Sequence, residues 1–290
     1  MKRTALLLIC LTALVSCAQK QEEQKVNARA VPERMDDFVF ENNLIAGRFY
    51  GEALEGNPTS PGIDIWVKMP GGLVADKWYA EAQKDANYYH RNHDGKDCYK
   101  VAVSLGGGAS APVCPVSGQI FFPQTNYRSC EILEQTPEKI VFSLSYPEWQ
   151  AGEQTVSLVK KVTVCADSYF CQVEDKYNFT GDSLSVAAGV FRHPSQQTIV
   201  EESVGDKFFA IWEKASDQSV EPEDGMLGVA VASPQASWTR ISSDLSHGLV
   251  GTTLAQGETF SYCFGSCWSK ANLKTDFAWG AEVKKLTASE

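Results

Sequence analysis

Apolar and polar residues alternate along much of this chain, in short runs interrupted by Gly, Pro, Asn or Asp. Alternation with a period of two is typical of a strand with one buried face, and turn residues between such runs indicate antiparallel sheets. The hairpin signal is clear at residues 37–50, where two apolar runs flank Glu-Asn-Asn. The other alternating segments are 63–69, 99–104, 140–146, 155–164, 169–179, 207–213 and 260–264. The pattern predicts a mainly β protein, a sandwich of antiparallel sheets.

Two segments depart from this alternation. Residues 76–86 are rich in helix formers, and residues 272–286 place apolar side chains such as Leu273 and Phe277 at roughly helical spacing. We therefore expect a short helix near 76–86 and a C-terminal helix packed on the sandwich. Because no repeat of solenoid or propeller period is visible, residues 36–290 are predicted to form a single domain.

The N-terminus carries a targeting signal. Lys2 and Arg3 precede a short apolar run that ends in Leu-Val-Ser-Cys17. A positive start, an apolar run and a small residue before the cleavage point form a secretory signal, and the cysteine makes it a bacterial lipobox. We expect residues 1–16 to be removed, Cys17 to carry lipid, and residues 17–35 to form a flexible tether at the outer membrane, on its periplasmic or exposed side. The alternative is an ordinary signal peptide with an incidental cysteine.

Charge narrows the range of partners. The formal net charge is −10, which argues against nucleic acid or an anionic membrane surface as a partner. An anionic small substrate stays compatible, since an acidic protein can contain a local basic pocket. Membrane contact is expected only through the lipid.

Seven cysteines follow Cys17, an odd number that cannot pair completely. Cys165 with Cys171, or Cys263 with Cys267, are candidate disulfides in an oxidising envelope. Burial as small apolar residues is the alternative. No cysteine has the spacing of a zinc site, so we expect no structural zinc. Asp94, Asp97 and the two nearby histidines could hold a cation, although their spacing does not require one, and no metal or cofactor is predicted.

The densest group of titratable side chains lies at residues 88–100, just before the triple glycine 106–108. Imidazole and phenol groups exchange protons near neutral pH when their surroundings tune them. His90 and Tyr99 lie in this segment, and His193 follows an apolar run at a predicted strand end. We expect these three residues to be catalytic, with a solvated loop as the alternative for the segment. The glycines are expected to let the backbone pass close to a neighbouring strand or a bound sugar.

Other residues are candidates for substrate binding. Arg48 and Arg128 lie within or beside predicted strands, where a guanidinium group suits either a carboxylate ligand or a rim salt bridge. Asp64 and Trp66 share one face of segment 63–69 with a lysine, a face that fits a sugar cleft or a solvent-exposed sheet. Lys100 lies next to Tyr99 and is a further candidate.

Several of these segments resemble one known family. DDFVFENNLIAGRFYG, GIDIWVK and HDGKDCYKV with the following GGG are similar to lipoproteins of the domain-of-unknown-function family 4861, from glycan-degrading bacteria. The resemblance covers most of the chain after the tether. It implies a galactose-mutarotase-like supersandwich of two large antiparallel sheets, with a concave face open to a saccharide.

The resemblance also implies an activity on uronic-acid-containing oligosaccharides, namely the elimination of water or a sugar across C4–C5 by a dehydratase or lyase. In such a reaction Arg48 and Arg128 would bind the carboxylate, and His90 or His193 would take the C5 proton. Tyr99 would protonate the leaving oxygen, Lys100 would assist, and Asp64 and Trp66 would hold neighbouring parts of the sugar. A mutarotase or epimerase, or a non-catalytic glycan-binding surface lipoprotein, is the alternative.

Overall fold

The structure, a computed structural model, describes residues 23–56, 61–91, 93–193, 199–203, 207–215 and 224–287. In these ranges the chain forms seventeen strands and two α-helices, and the strands form three antiparallel sheets. The first sheet has five strands in chain order: β1 (Val26–Val31), β2 (Asp37–Asn42), β3 (Ala46–Phe49), β4 (Asp64–Lys68) and β5 (Gly95–Asp97).

The other two sheets have eight and four strands. In spatial order the eight-stranded sheet consists of β12 (Ile199–Ser203), β13 (Phe208–Lys214), β14 (Met226–Ala232), β17 (Thr259–Trp268), β10 (Phe170–Phe179), β9 (Gln154–Cys165), β8 (Lys139–Ala151) and β7 (Ser129–Gln135). The four-stranded sheet consists of β15 (Trp238–Ile241), β16 (His247–Ala255), β11 (Ser183–Phe191) and β6 (Gly107–Pro112). The prediction of a mainly β antiparallel sandwich is confirmed.

The three sheets form two layers. The five- and four-stranded sheets are joined by a bridge between Ile63 and Gly106, and both face the eight-stranded sheet. Aromatic rings fill the space between the layers, as where Phe38 lies 4.5 Å from Phe142 between ring centroids. Alternation along each strand, such as the buried odd-numbered positions of β10, places the apolar side chains in this core.

The triple glycine lies where the sheets approach closely. A Cβ atom on Gly106 would stand 2.2 Å from the Ile63 carbonyl oxygen, and one on Gly108 would stand 2.3 Å from the Phe264 side chain. Both glycines also have positive φ angles, +59° and +137°. Of the two expected roles, the structure supports close passage beside a neighbouring strand.

Both expected helices are present. α1 (Ala75–Ala82) covers the outer face of the five-stranded sheet, and α2 (Asp276–Lys284) covers β13 and β14. Glu41 accepts hydrogen bonds from the two backbone N–H groups at the start of α1, at 2.8 and 3.0 Å. α1 ends four residues before the predicted boundary at residue 86, since a turn follows from Gln83. Neither helix is long and apolar enough to cross a membrane, and the same holds throughout the ranges given above.

Three sequence expectations differ from the structure. The predicted tether does not extend to residue 35, because Val26–Val31 pairs with β2 and buries Val26 and Val31. Cys17 and the predicted signal peptide lie outside the described residues. Segment 99–104 is not a strand. All seven later cysteines are free, so neither candidate disulfide forms. The alternative of burial holds for Cys98, Cys171 and Cys267, whereas Cys130 is exposed.

Candidate functional site

The structure places the predicted site residues in three locations. Arg48, Asp64, Trp66 and His90 come together on the outer face of the five-stranded sheet, beneath α1. Tyr99 and His193 contact each other at the edge of the core, where the Lys100 carbonyl also lies. Arg128 lies on the surface. The sequence therefore predicted one set of residues that the fold divides into three.

Strand pairing explains the first group, which we call the Arg48 cluster: Arg34, Asp37, Arg48, Tyr50, Asp64, Trp66, Tyr89, His90 and Asp97. Arg48 on β3 lies opposite Asp64 on β4, and Trp66 on β4 lies opposite Asp97 on β5. Because side chains alternate along a strand, these four point to the same face. Arg48 Nε donates to Asp64 Oδ2 at 2.7 Å, and Nη2 donates to Asp97 Oδ2 at 3.0 Å.

Aromatic rings surround the Arg48 guanidinium group. Its central carbon lies 5.3 Å from the centroid of the Trp66 ring, 5.4 Å from that of Tyr89 and 5.5 Å from that of Tyr50. The Tyr50 hydroxyl donates to Asp64 Oδ2 at 3.0 Å. Cation–π contacts and charged hydrogen bonds together fix this guanidinium group in place.

Several buried polar atoms of the cluster have no hydrogen-bond partner in the described chain. They are Asp64 Oδ1, Asp97 Oδ1, the Trp66 indole nitrogen and Arg48 Nη1, which has only a longer ion-pair contact of 3.7 Å with Asp37 Oδ2. Buried polar atoms are nearly always paired, so a group of unpaired donors and acceptors in one place requires an explanation such as a water or a ligand. Among the residues described, no three His, Cys, Asp or Glu side chains are grouped so that they could hold a metal ion.

His90 lies at the edge of this cluster and has the geometry of a base. Its Nδ1 lies 3.1 Å from the Asp97 carbonyl oxygen, an acceptor only, so Nδ1 carries the proton and Nε2 keeps its lone pair. The side chain is 24 % exposed. Burial is the main cause that lowers the pKa of His90, so the imidazole is neutral at neutral pH.

The acidic side chains of the cluster differ from ordinary surface carboxylates. Burial, with the nearby negative charge of Asp64, holds the pKa of Asp97 well above its usual range. Burial likewise raises the pKa of Asp37 to about 6, against the favourable charges of Arg48 and Arg34. The Arg48 cluster thus contains a neutral base, carboxyl groups whose pKa values burial raises, and fixed cations.

His193 and Tyr99 lie in a different environment. His193 Nδ1 lies 2.5 Å from Glu213 Oε1, and Nε2 lies 2.7 Å from the Lys100 carbonyl oxygen, so both ring nitrogens are engaged. The Tyr99 hydroxyl lies 3.0 Å from the Gly106 carbonyl oxygen and 3.1 Å from that of Phe191. Both side chains are buried. Their expected catalytic roles stay predictions, and in this arrangement their proton-exchanging atoms are bound within the protein.

The remaining binding candidates also have protein partners. Arg128 donates from both terminal nitrogens to Glu55, in a half-exposed ion pair. The face that carries Asp64 and Trp66 is neither an open cleft nor a solvated sheet, because α1 buries it completely. The lysine on that face, Lys68, donates to Glu41 and to two backbone carbonyl oxygens beneath α1.

Sequence reasoning missed Arg34 and Asp37 and gave Asp97 no acid–base role. Asp97 follows Lys96 in β5, and the strand pattern there spans only three residues, so the sequence did not show which face it occupies. Arg34 lies in the segment predicted to be a tether. A signal was present for Asp37, since it begins the predicted hairpin where a buried strand starts.

An open groove lies away from these clusters, on the outer face of the eight-stranded sheet. It measures about 820 Å³ and is lined by residues of β9, β10, β16 and β17, among them Lys161, Glu174 and Lys176. Lys161 and Glu174 form an ion pair across neighbouring strands. The groove is large enough for a ligand, but His90 and the carboxyl groups of the Arg48 cluster do not line it.

The chain belongs to a family described as Domain of unknown function (DUF4861), whose profile matches residues 13–289. The family expected from the sequence motifs is therefore confirmed. The chain is 33 % identical over 221 residues to "Uncharacterized protein P7" of Formosa agariphila, an alignment that covers 73 % of this chain and 53 % of that protein. This chain thus spans about half the length of that curated relative.

Among solved structures, heparinase III aligns with 88 % of this chain and 37 % of its own chain, at 9 % identity and a TM-score of 0.36. A similarity this low defines neither the activity nor the substrate of the present protein.

Proposed function

We propose that this protein is a carbohydrate-active enzyme that eliminates water or a sugar across C4–C5 of a uronic acid residue in an oligosaccharide. The observation that supports it most is His90, a neutral imidazole whose Nε2 has no hydrogen-bond partner among the described residues, at the edge of a cluster with unpaired buried atoms. Abstraction of a proton beside a carboxylate needs a positioned base and groups that stabilise the charge that develops.

The reaction follows from the orientation of His90. Its Nε2 takes the C5 proton, while the Asp97 carbonyl oxygen holds the proton on Nδ1. The negative charge of Asp64 favours the imidazolium that forms. The proton then passes to the departing C4 oxygen. The C5–H and C4–O bonds break, the C4=C5 double bond forms, and water or an alcohol leaves.

Arg48 supports this chemistry from within the protein. Its side chain is 4 % exposed, and two of its nitrogens are bound to Asp64 and Asp97. In this proposal Arg48 orients the carboxyl groups beside the base. The substrate carboxylate, which the sequence analysis assigned partly to Arg48, is bound by another cation.

The test is to incubate the protein with oligosaccharides that end in a uronic acid and to follow the ultraviolet absorbance of a 4,5-unsaturated uronide. We expect absorbance to rise, and we expect His90→Gln to lower kcat by about 10²-fold or more. Arg240→Gln is the matched control, because this arginine of β15 donates to the carbonyl oxygens of residues 115 and 116, outside the cluster. A flat absorbance with anomer exchange visible by NMR would replace elimination by a mutarotase or epimerase activity.

A non-catalytic glycan-binding protein is the second candidate, and the open groove of about 820 Å³ favours it. Against it, binding platforms usually display exposed aromatic rings. In the part of the chain that the structure describes, six tryptophans are buried, Trp238 is half-buried, and the exposed ring of Phe277 on α2 does not line the groove. This candidate would be supported over the enzyme if the protein bound the same oligosaccharides without turnover. Binding should then be lost in Lys176→Ala and retained in His90→Gln.

We also propose that the protein is attached to the outer membrane by a lipid on Cys17. The Leu-Val-Ser-Cys17 motif supports lipid attachment and anchoring to the outer membrane. Mass spectrometry of the protein from membranes is expected to show a lipid-modified N-terminal Cys17, and Cys17→Ala is expected to release the protein from them. An unmodified, membrane-free wild-type protein would contradict the anchor.

A further inference from the structure

Arg34, Arg48 and Arg128 differ in how many of their guanidinium nitrogens are hydrogen-bonded to other residues. Arg48 is enclosed, and Arg128 uses both terminal nitrogens on Glu55. Arg34 is different: Nη1 donates to Asp37 at 3.0 Å, while Nε and Nη2 have no hydrogen-bond partner in the residues that the structure describes. Its side chain is 24 % exposed. Arg34 therefore keeps donors without a partner among the described residues, on a partly exposed side chain at the rim of the Arg48 cluster.

The backbone holds Arg34 in a fixed position. Arg34 ends a 3-10 turn, and the next two residues, Met35 and Asp36, have φ angles of +52° and +58°. Successive non-glycine residues in the left-handed region cost energy and persist only where surrounding contacts impose them. Here the Tyr127 hydroxyl donates to the Asp36 carbonyl oxygen at 2.5 Å. A Cβ on Gly51 would stand 1.8 Å from the same oxygen, so only glycine permits this approach.

Arg34 also shares its surroundings with the proposed base. Its guanidinium carbon lies 5.9 Å from the centroid of the Tyr50 ring. Its positive charge contributes to lowering the pKa of His90 and opposes the raised pKa of Asp97, so all three lie within electrostatic reach of one another. The side chains of Arg34 and His90 are both partly exposed, whereas Arg48 is buried.

We propose that Arg34, which lies against the Tyr50 ring and near the proposed base His90, binds the carboxylate of a uronic acid residue. The planar fork of a guanidinium group matches a carboxylate through two parallel hydrogen bonds. Asp37 orients the fork through Nη1 and leaves Nε and Nη2 available. This assignment rests on the proposed function for the choice of uronic acid, but binding at Arg34 does not require turnover.

The test is calorimetric binding of a uronic acid disaccharide and of its carboxyl-reduced counterpart, in a His90→Gln background that prevents turnover. Arg34→Gln is expected to weaken binding of the acid by about 10- to 100-fold, as for the loss of a charged hydrogen-bond pair. Binding of the reduced disaccharide should not change. Arg34→Lys keeps the charge without the fork and should give an intermediate loss, and Arg240→Gln should alter neither affinity.

Two results would overturn this assignment. One is an unchanged affinity of Arg34→Gln for the acidic disaccharide. The other is an equal loss of affinity for both disaccharides, which would indicate a distorted fold. The unfolding transition of the variant checks for such a distortion. The proposed function fails separately: if the wild-type protein binds the acid through Arg34 but produces no unsaturated product, the assignment of Arg34 stands and the elimination does not.

Discussion

Two buried ionic networks in this protein are built in opposite ways. In the core between the layers, Lys160 donates to both oxygens of Asp175, at 2.8 and 2.6 Å, and to the Tyr262 hydroxyl at 3.0 Å. Ser110 completes this network by bonding Asp175 and Tyr177. In the Arg48 cluster, by contrast, buried donors and acceptors are left over and part of the rim is exposed.

The comparison separates a structural network from a candidate site. Among the described residues, every buried polar side-chain atom of the Lys160 network has a hydrogen-bond partner, and Lys160 and Asp175 are both buried, as expected of a structural network. The Arg48 cluster keeps unused hydrogen-bonding capacity beside a neutral imidazole, at a cost in stability that a purely structural network would avoid.

The largest expected effect comes from breaking the closed network. Asp175→Leu leaves the Lys160 ammonium buried without its counter-ion, so the free energy of unfolding should fall by about 3–5 kcal/mol. Adding Lys160→Met removes the unpaired charge and should recover most of the loss. Denaturant unfolding measures both variants. A double variant no more stable than the single one would show that the network is needed for more than charge pairing.

The next effect is a pH dependence that arises at His247. Its Nε2 accepts a hydrogen bond from the Leu105 N–H at 3.0 Å, and burial lowers its pKa from 6.5 to about 4. The unfolded chain thus binds the proton more readily. The stability that neutral His247 contributes is present above pH 6.5, is lost as pH falls to about 4, and amounts to about 3 kcal/mol.

Asp37 in the Arg48 cluster acts in the opposite direction. Because burial raises its pKa from 3.8 to about 6, the folded protein binds this proton more tightly, and the resulting stability is present below pH 3.8 and lost as pH rises through 6. We expect the two effects to oppose each other between pH 4 and 6 in the wild-type protein.

Variants resolve these two effects. His247→Gln should make stability rise as pH falls through this window, and Asp37→Asn should make it fall more steeply than in the wild type. Denaturation midpoints measured across the window test both. Parallel curves for the two variants would contradict the opposed signs.

A smaller effect distinguishes two carboxyl groups within the Arg48 cluster. Asp64 accepts charged or phenolic hydrogen bonds from Arg48 and Tyr50, so Asp64→Asn should cost about 1.5–3 kcal/mol of unfolding free energy. Burial raises the pKa of Asp97 well above its usual range and so favours the protonated form, and the nearly isosteric Asp97→Asn should change stability by about 1 kcal/mol or less. Equal losses in the two variants would show that Asp97 is ionised in the folded protein.

The smallest effect is expected at the surface. Arg128→Gln breaks a half-exposed ion pair with Glu55 and should lower the unfolding free energy by about 1 kcal/mol or less. Its effect on affinity for a uronic acid disaccharide should be smaller than that of Arg34→Gln. If Arg128→Gln weakened binding more than Arg34→Gln does, Arg128 would be the residue that binds the substrate carboxylate, as expected from the sequence.

Local pattern predicted the fold well, and long-range packing explains what it missed. Alternation in 155–164 and 169–179 and the turn in 37–50 are properties of neighbouring residues, and they correspond to β9, β10 and the β2–β3 hairpin. Trp66 was expected on an open face because nothing in segment 63–69 shows that α1 covers it. That outcome depends on Trp78, whose ring lies 5.2 Å from that of Trp66.

The site was partly predictable for the same reason. Arg48, Asp64 and His90 were chosen by residue type, and pairing of β3, β4 and β5 brings the first two to one face. His193 lies at a strand end as expected, but its partner Glu213 is twenty positions away and has no sequence signal that links the two. Arg34 was hidden because the weak pattern of β1 resembles a polar tether.

The most direct test of the account is nitrogen NMR of the histidine side chains during titration with a uronic acid disaccharide. We expect His90 to be neutral at pH 7 with its proton on Nδ1, and its Nε2 resonance to shift on binding, while the buried His247 is unchanged. A charged His90, or a His90 resonance that does not change when the disaccharide saturates the protein, would contradict the assignment of the Arg48 cluster as the functional site.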